Sequence, residues 1–307
     1  MGGKIGDILD DSLHSWGNHD ASQEDWEVNI IEVENVSFKY GNSKAYSLRD
    51  VNLNVKKGEF LGIIGPSGSG KSTFCLTLNG LIPHSINGEF EGNVFVDGLN
   101  TREHSVAELS TRVGLVFQNP DSQLFNMTVL EEVAFALENL GVEREEMWRR
   151  IRWALKLVKL WDKREEFPPN LSGGEKQRLA IASVLVMKPK VLVLDEPTSQ
   201  LDPLGREEVL SLVRLLNKEE KITIILVEHN TDFLLEHADR IVVFDGGRVV
   251  MEGKPEEVFE NVEFLERIGI RIPTRVKIGY ELKKRGITRR AVLSYEEIIA
   301  EIAKQLR

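Results

Sequence analysis

Gly65, Pro66, Ser67, Gly68, Ser69, Gly70, Lys71, Ser72 and Thr73 stand in a row and read G-x-x-x-x-G-K-S-T. A run of this kind can wrap a polyphosphate. Its glycines let backbone N–H groups turn inward around phosphate oxygens, and the helix that should follow presents its positive N-terminus to the same anion. Lys71 is placed for the β- and γ-phosphates, and the Ser72 hydroxyl for Mg²⁺. A second run, Val191-Leu192-Val193-Leu194-Asp195-Glu196, is apolar until it ends in two carboxylates. Asp195 there suits the metal shell, and Glu196 suits a base that polarises water, a poor nucleophile at neutral pH. The phosphate loop by itself fits any NTPase or nucleotide kinase. A guanine reader of the form Asn-Lys-x-Asp is not found, since residues 217–220 read Asn-Lys-Glu-Glu.

A third run is Leu171, Ser172, Gly173, Gly174 and Glu175, directly after Pro168-Pro169-Asn170. Ser172 and Glu175 have the spacing of a capping box, so the run reads as a helix start. Two glycines and a serine at a helix N-terminus also make a second anion site. One chain should not need two γ-phosphate sites.

These residues need elements to hold them. Period-two patterns begin near Asn29 and surround Leu53 and Val55, and residues 60–64 form an apolar run that suits a strand buried on both faces. From about Gln118 to Leu185 the pattern is helical. Thr128 and Glu131 cap a helix running through Leu140, a second helix carries Ile151, Ala154, Leu155 and Val158, and Pro168-Pro169 ends that stretch. Strand runs return at 191–194, 222–227 and 241–244, with a helix at 206–216. The alternation predicts an α/β fold with a parallel core sheet interrupted by a helical lobe. Residues 255–268 and 295–306 read as helices, and 270–273 as a linker.

The set resembles the ATP-binding-cassette (ABC) ATPases over about residues 29–255, with each core motif present and in order. The resemblance implies a P-loop NTPase core, an N-terminal antiparallel β subdomain at 29 onward, a helical subdomain at about 118–185 and a C-terminal helical appendage at 256–307. It implies ATP with Mg²⁺ as cofactors. It also resolves the second anion site: two cassettes, identical or different, pack head to tail, and Leu171, Ser172, Gly173, Gly174 and Glu175 serve the partner's ATP. By the same resemblance Tyr40 stacks on adenine, and Gln118 contacts the metal and the attacking water. Asp202, in Ser199-Gln200-Leu201-Asp202, aligns the opposite site, and His229 contacts the γ-phosphate beside Glu196, Lys71 and Asp195.

Gln118-Asn119-Pro120-Asp121-Ser122-Gln123-Leu124-Phe125 is similar to the energy-coupling-factor (ECF) and cobalt/nickel branch of importers. That likeness implies a groove at Gln123 and Phe125 for a coupling helix, and a cargo of vitamins or transition-metal ions. It also implies an integral membrane scaffold and a membrane subunit that binds the substrate. A conventional ABC importer or exporter ATPase, or a soluble ABC ATPase of DNA repair or translation, are the alternatives.

The bulk composition agrees. The chain has 307 residues, 41% hydrophobic and 29% charged, with net charge −10, which argues against a nucleic-acid backbone binder. The single cysteine, Cys75, excludes an intramolecular disulfide and reads as a small buried residue. No apolar run approaches the roughly 18 residues of a membrane helix, and no signal peptide is visible. The expectation is a peripheral protein on the cytoplasmic face of the membrane, reaching it through partners. Residues 1–28, polar and acidic, read as a flexible extension.

Overall fold

A computed structural model of the chain describes residues 28–305. The extension at 1–28 thus lies outside the described residues except for Val28. In chain order the elements are β1 (Asn29–Tyr40), β2 (Leu48–Lys56), β3 (Phe60–Ile64), α1 (Lys71–Leu78), α2 (Leu81–His84), β4 (Gly88–Val96), β5 (Leu99–Asn100), α3 (Val106–Ser110) and β6 (Val113–Val116). Then come α4 (Val129–Asn139), α5 (Arg144–Leu157), α6 (Gly173–Leu185), β7 (Val191–Asp195), α7 (Pro203–Lys218), β8 (Thr223–Val227), α8 (Thr231–His237), β9 (Arg240–Asp245) and β10 (Arg248–Gly253). The chain closes with α9 (Pro255–Phe259), α10 (Val262–Arg267), α11 (Thr274–Lys284) and α12 (Tyr295–Gln305).

Two sheets organise these elements. β2-β1-β4-β5 is a four-stranded antiparallel sheet, and β10-β9-β3-β8-β7-β6 is a six-stranded sheet that is parallel except for β10. Every residue of β3, β6, β7 and β8 is buried. Their side chains alternate between two cores. Phe60, Ile64, Leu192, Leu194, Ile224 and Leu226 face α4–α7. Leu61, Ile63, Val191, Val193, Ile225 and Val227 face α1 and the antiparallel sheet. Apolar burial on both faces is why these strands read as unbroken hydrophobic runs.

The helical stretch differs from expectation in one place. α5 ends at Leu157, with Lys159 in the left-handed region, and the chain then runs through two short 3₁₀ turns before α6. Pro168 therefore does not stop the helix; it opens the second of those turns. β6 was hidden in the sequence by Gly114. A Cβ there would sit 2.1 Å from a Val184 methyl, so close packing of α6 demands the residue that weakens the strand signal. Residues 255–268 form two helices rather than one, and α11 lies beyond what the pattern marked.

The appendage is tied down by Glu260. Its carboxylate accepts from the amides of Ala291 and Val292 at 2.6 and 2.8 Å and from Lys283 Nζ at 3.0 Å. Those donors hold its pKa below the usual carboxylate range against the opposing effect of burial. Glu260→Ala orphans two amides, and we expect about 1–3 kcal/mol of local stability to be lost. Hydrogen exchange should then speed up across residues 286–298 while β3, β7 and β8 keep their protection. Equal protection across 286–298 in mutant and wild type would refute this anchoring.

Candidate functional site

The site is built at the C-terminal ends of β3, β8, β7 and β6, where ligands bind in open parallel sheets. Register brings the side chains level. Val116 pairs with Leu194 and Asp195 with Val227, so the residues just beyond them, Gln118, Glu196 and His229, leave the sheet at one height. Ile63 pairs with Val227, which sets the start of the phosphate loop beside them.

Loop 65–73 leads from β3 into α1, the context its spacing predicts. Gly70 has φ +105°, and a Cβ there would sit 2.5 Å from the Ser47 carbonyl. A Cβ on Gly65 would meet the Phe244 carbonyl at 2.2 Å. The loop is therefore pinned between the ends of β9 and β2 and cannot carry side chains at these turns. Lys71 is only 5% exposed, and its amine donates to the carbonyls of Gly65 and Pro66 at 2.9 and 3.0 Å. Burial lowers its pKa, against the pull of the Glu196 and Asp195 carboxylates. Tyr40 closes the far side: its hydroxyl is 3.1 Å from Thr73 Oγ1, and its ring packs edge-on against Phe38.

Two buried oxygens around the loop lack partners, Ser69 Oγ and Asp195 Oδ1. Asp195 is 8% exposed, and burial pushes its pKa up while the Ser72 hydroxyl bonded to it pulls it down. An orphaned carboxylate oxygen beside a serine hydroxyl fits Mg²⁺, which keeps waters and phosphate oxygens and takes one or two protein ligands. Among the described residues no cluster of three or more His, Cys, Asp or Glu could cage a metal.

Glu196 has φ +48°, a left-handed conformation that costs a non-glycine residue on the order of 1–2 kcal/mol. The turn ends β7 and aims the carboxylate at two partners. Gln118 Nε2 donates to Oε2 at 3.0 Å and to Ser199 Oγ at 3.2 Å, while His229 Nε2 shares a 2.9 Å hydrogen bond with Oε1. The arrangement holds a carboxylate that could serve as a base, with an imidazole and an amide hydrogen-bonded to it.

Leu171, Ser172, Gly173, Gly174 and Glu175 belong elsewhere. Ser172 and Glu175 form a complete capping box on α6, and Glu175 pairs with Lys163 at 2.8 Å. Among the described residues no hydrogen bond or ion pair joins this run to loop 65–73. Asp202 caps α7 by accepting from the Gly205 amide at 2.7 Å. Gly205 in turn abuts Gly174, so the starts of α6 and α7 touch. Gln123 spends its amide on backbone, accepting from Phe117 N and donating to Leu115 O. Phe125 is 64% exposed and stacks edge-on against Phe135, with Met127 also exposed.

Sequence reasoning passed over two buried carboxylates. Glu132 accepts from the amides of Phe125 and Asn126, and Glu228 accepts from those of His229 and Asn230. The available signal was an acid beside an apolar run and next to a site loop.

A phosphate loop facing an acidic strand end on this sheet is the arrangement of a P-loop NTPase. A family model described as ABC transporter matches residues 48–199. A Pyrococcus horikoshii protein named for ABC transporter ATP binding is 86% identical over 89% of this chain and 96% of its own length. An energy-coupling factor transporter ATP-binding protein of Caldanaerobacter subterraneus is 44% identical over 90% of this chain and 99% of its own. Among solved structures, CbiO1 of Clostridium perfringens, part of the complex CbiONQ, superposes with TM-score 0.70 at 35% identity, covering 84% of this chain and 100% of that one. The dimeric cassette MJ0796 bound to ADP and Pi gives TM-score 0.63 at 33% identity, covering 73% and 98%. The chain belongs to the ABC transporter ATP-binding proteins, in their energy-coupling-factor branch, and binds and hydrolyses ATP.

The crowding at Gly70 gives a direct check. Gly70→Ala should weaken ATP binding about tenfold or more, because about 1.4 kcal/mol of backbone strain corresponds to that factor. Equilibrium titration with a fluorescent ATP analogue measures it, and unchanged affinity would contradict the close fit between the loop and residue 47.

Proposed function

We propose that this chain is one of two ATPases energising an importer of the energy-coupling-factor type. Its partners are a second cassette, identical or different, an integral membrane scaffold and a substrate-binding membrane subunit. The work is done on the cytoplasmic face of the membrane, and the vitamin or metal-ion cargo is chosen by the membrane subunits. Residues 29–255 are the motor in this reading, with the helical subdomain at about 118–185 and the appendage at 256–307 completing it. Among the described residues no helix is long and apolar enough to cross a membrane, which fits attachment through partners.

The observation that carries the reading is the held carboxylate of Glu196. In the proposed reaction Lys71 leaves the Gly65 and Pro66 carbonyls for the β- and γ-phosphates, and the loop amides cradle them. Ser72, Gln118 and Asp195 would hold Mg²⁺, which when bound would offset phosphate charge. Glu196 takes a proton from the attacking water, and His229 steadies the γ-phosphate. Tyr40 stacks on the adenine. Ser172 and the glycines beside it complete the partner's site, and the partner's equivalent run completes this one. The dimeric form of the MJ0796 cassette supports such pairing. Closure with ATP and reopening after hydrolysis shift the populations of two dimer states, and that difference drives the membrane subunits.

Glu196→Gln should keep ATP affinity within about threefold, lower turnover at least about 100-fold and yield a stable ATP-bound dimer on size exclusion. Wild-type turnover would remove Glu196 from the role of base.

The exposed Phe125, Phe135 and Met127 form the apolar wall offered to a coupling helix. Glu132, 4% exposed, holds that wall by accepting from Phe125 N, Asn126 N and Asn126 Nδ2 at 2.9, 2.8 and 3.3 Å. Phe125→Ala should leave basal ATPase near wild type and abolish its stimulation by the reconstituted membrane subunits. Full stimulation in that variant would exclude Phe125 from the coupling groove.

A further inference from the structure

We propose that Glu228 and Thr198 are positioning residues for hydrolysis, forming a buried bridge that sets His229 against Glu196. The inference rests on the reading of Glu196 and His229 given above. Glu228 is 5% exposed and Thr198 1% exposed. Glu228 Oε1 accepts from the amides of His229 and Asn230 at 2.7 and 3.1 Å, and Oε2 accepts from Thr198 Oγ1 at 2.5 Å. One side chain therefore fastens the loop after β8, which carries His229, to the loop after β7, which carries Glu196. Neither bridge residue hydrogen-bonds to His229's imidazole, to Glu196's carboxylate or to loop 65–73.

The bridge answers a geometric need. The 2.9 Å contact between His229 Nε2 and Glu196 Oε1 joins two loops on neighbouring strands. His229 is more exposed than the carboxylate it meets, with side-chain exposures of 53% and 17%. An exposed imidazole has rotamer freedom that packing does not remove, so its backbone must be held from below. A carboxylate with a separate oxygen for each loop does this with hydrogen bonds alone. The amide pair and the hydroxyl are all donors, which explains an acceptor-only group in a buried place.

Thr198→Val keeps the side-chain shape and removes only the hydroxyl. We expect kcat for ATP to fall about 10- to 100-fold, the scale of a small misplacement of reacting groups, with KM and ATP affinity within about twofold of wild type. Thr198→Ser, which restores the hydroxyl, should recover turnover to within about threefold of wild type. Glu228→Gln should recover it similarly, since its carbonyl can accept the two amides while its amide donates to Thr198 Oγ1. Glu228→Leu should lose turnover as Thr198→Val does; if it does not fold, the two Thr198 variants decide. The bridge is overturned if Thr198→Val turns over like wild type, if Thr198→Ser is as impaired as Thr198→Val, or if ATP affinity falls in step with kcat. Glu196→Gln run alongside separates the two claims. Wild-type activity there defeats the site reading, whereas an inactive Glu196→Gln with a silent Thr198→Val defeats the bridge alone.

Discussion

Everything in this molecule depends on the parallel register of β3, β8, β7 and β6. Hydrogen-bonded pairs such as Val116–Leu194 and Asp195–Val227 fix where each strand ends, and the chemistry stands one or two residues beyond those ends. A slip of one residue would turn every side chain of a strand to the opposite face. Close packing opposes it, because both faces are buried and a slip would exchange side chains of different size between two filled cores. The site is thus fixed by the packing of apolar residues buried in the two cores beneath it.

On that base the polar groups are arranged by hydrogen bonds of unequal kinds. Lys71 is satisfied by loop carbonyls and Glu196 by Gln118 and His229. In the proposed reaction these partners would give way to phosphate and water. Glu228 and Glu132 instead accept backbone amides in buried places, and such contacts are costly to break. The protein separates reversible polar contacts at the reacting centre from fixed ones in the loops behind it. Ser69 Oγ and Asp195 Oδ1, buried without partners, are the visible remainder that a phosphate and a cation would satisfy.

The sequence made much of this legible because several constraints are local. A glycine turn into a helix, an apolar run ending in two acids and a capping box each demand particular residues at short spacing, and the corresponding elements β3–α1, β7 and α6 follow them closely. What stayed hidden depends on distant partners. Gly114 obscured β6 because Val184, far along the chain, leaves no room for a side chain. Glu132 and Glu228 carried little local signal of their roles, because only the fold brings donors to them. α5 stops at Leu157 through its own cap, where the proline pair at 168–169 had looked like the terminator. Gln123, expected at a groove, also hydrogen-bonds the backbone of Phe117 and Leu115.

The central claim is that this chain carries two halves of different sites. The run 171–175 caps α6 and touches the start of α7, while loop 65–73 sits at the sheet. The most direct test is cysteine cross-linking in the Glu196→Gln background with ATP and Mg²⁺, mixing one chain carrying Ser67→Cys with another carrying Ser172→Cys. A covalent dimer on a non-reducing gel, formed only in the mixture and only with nucleotide, is the predicted result. No covalent dimer in the mixture, together with an internal cross-link in a single chain bearing both cysteines, would contradict it.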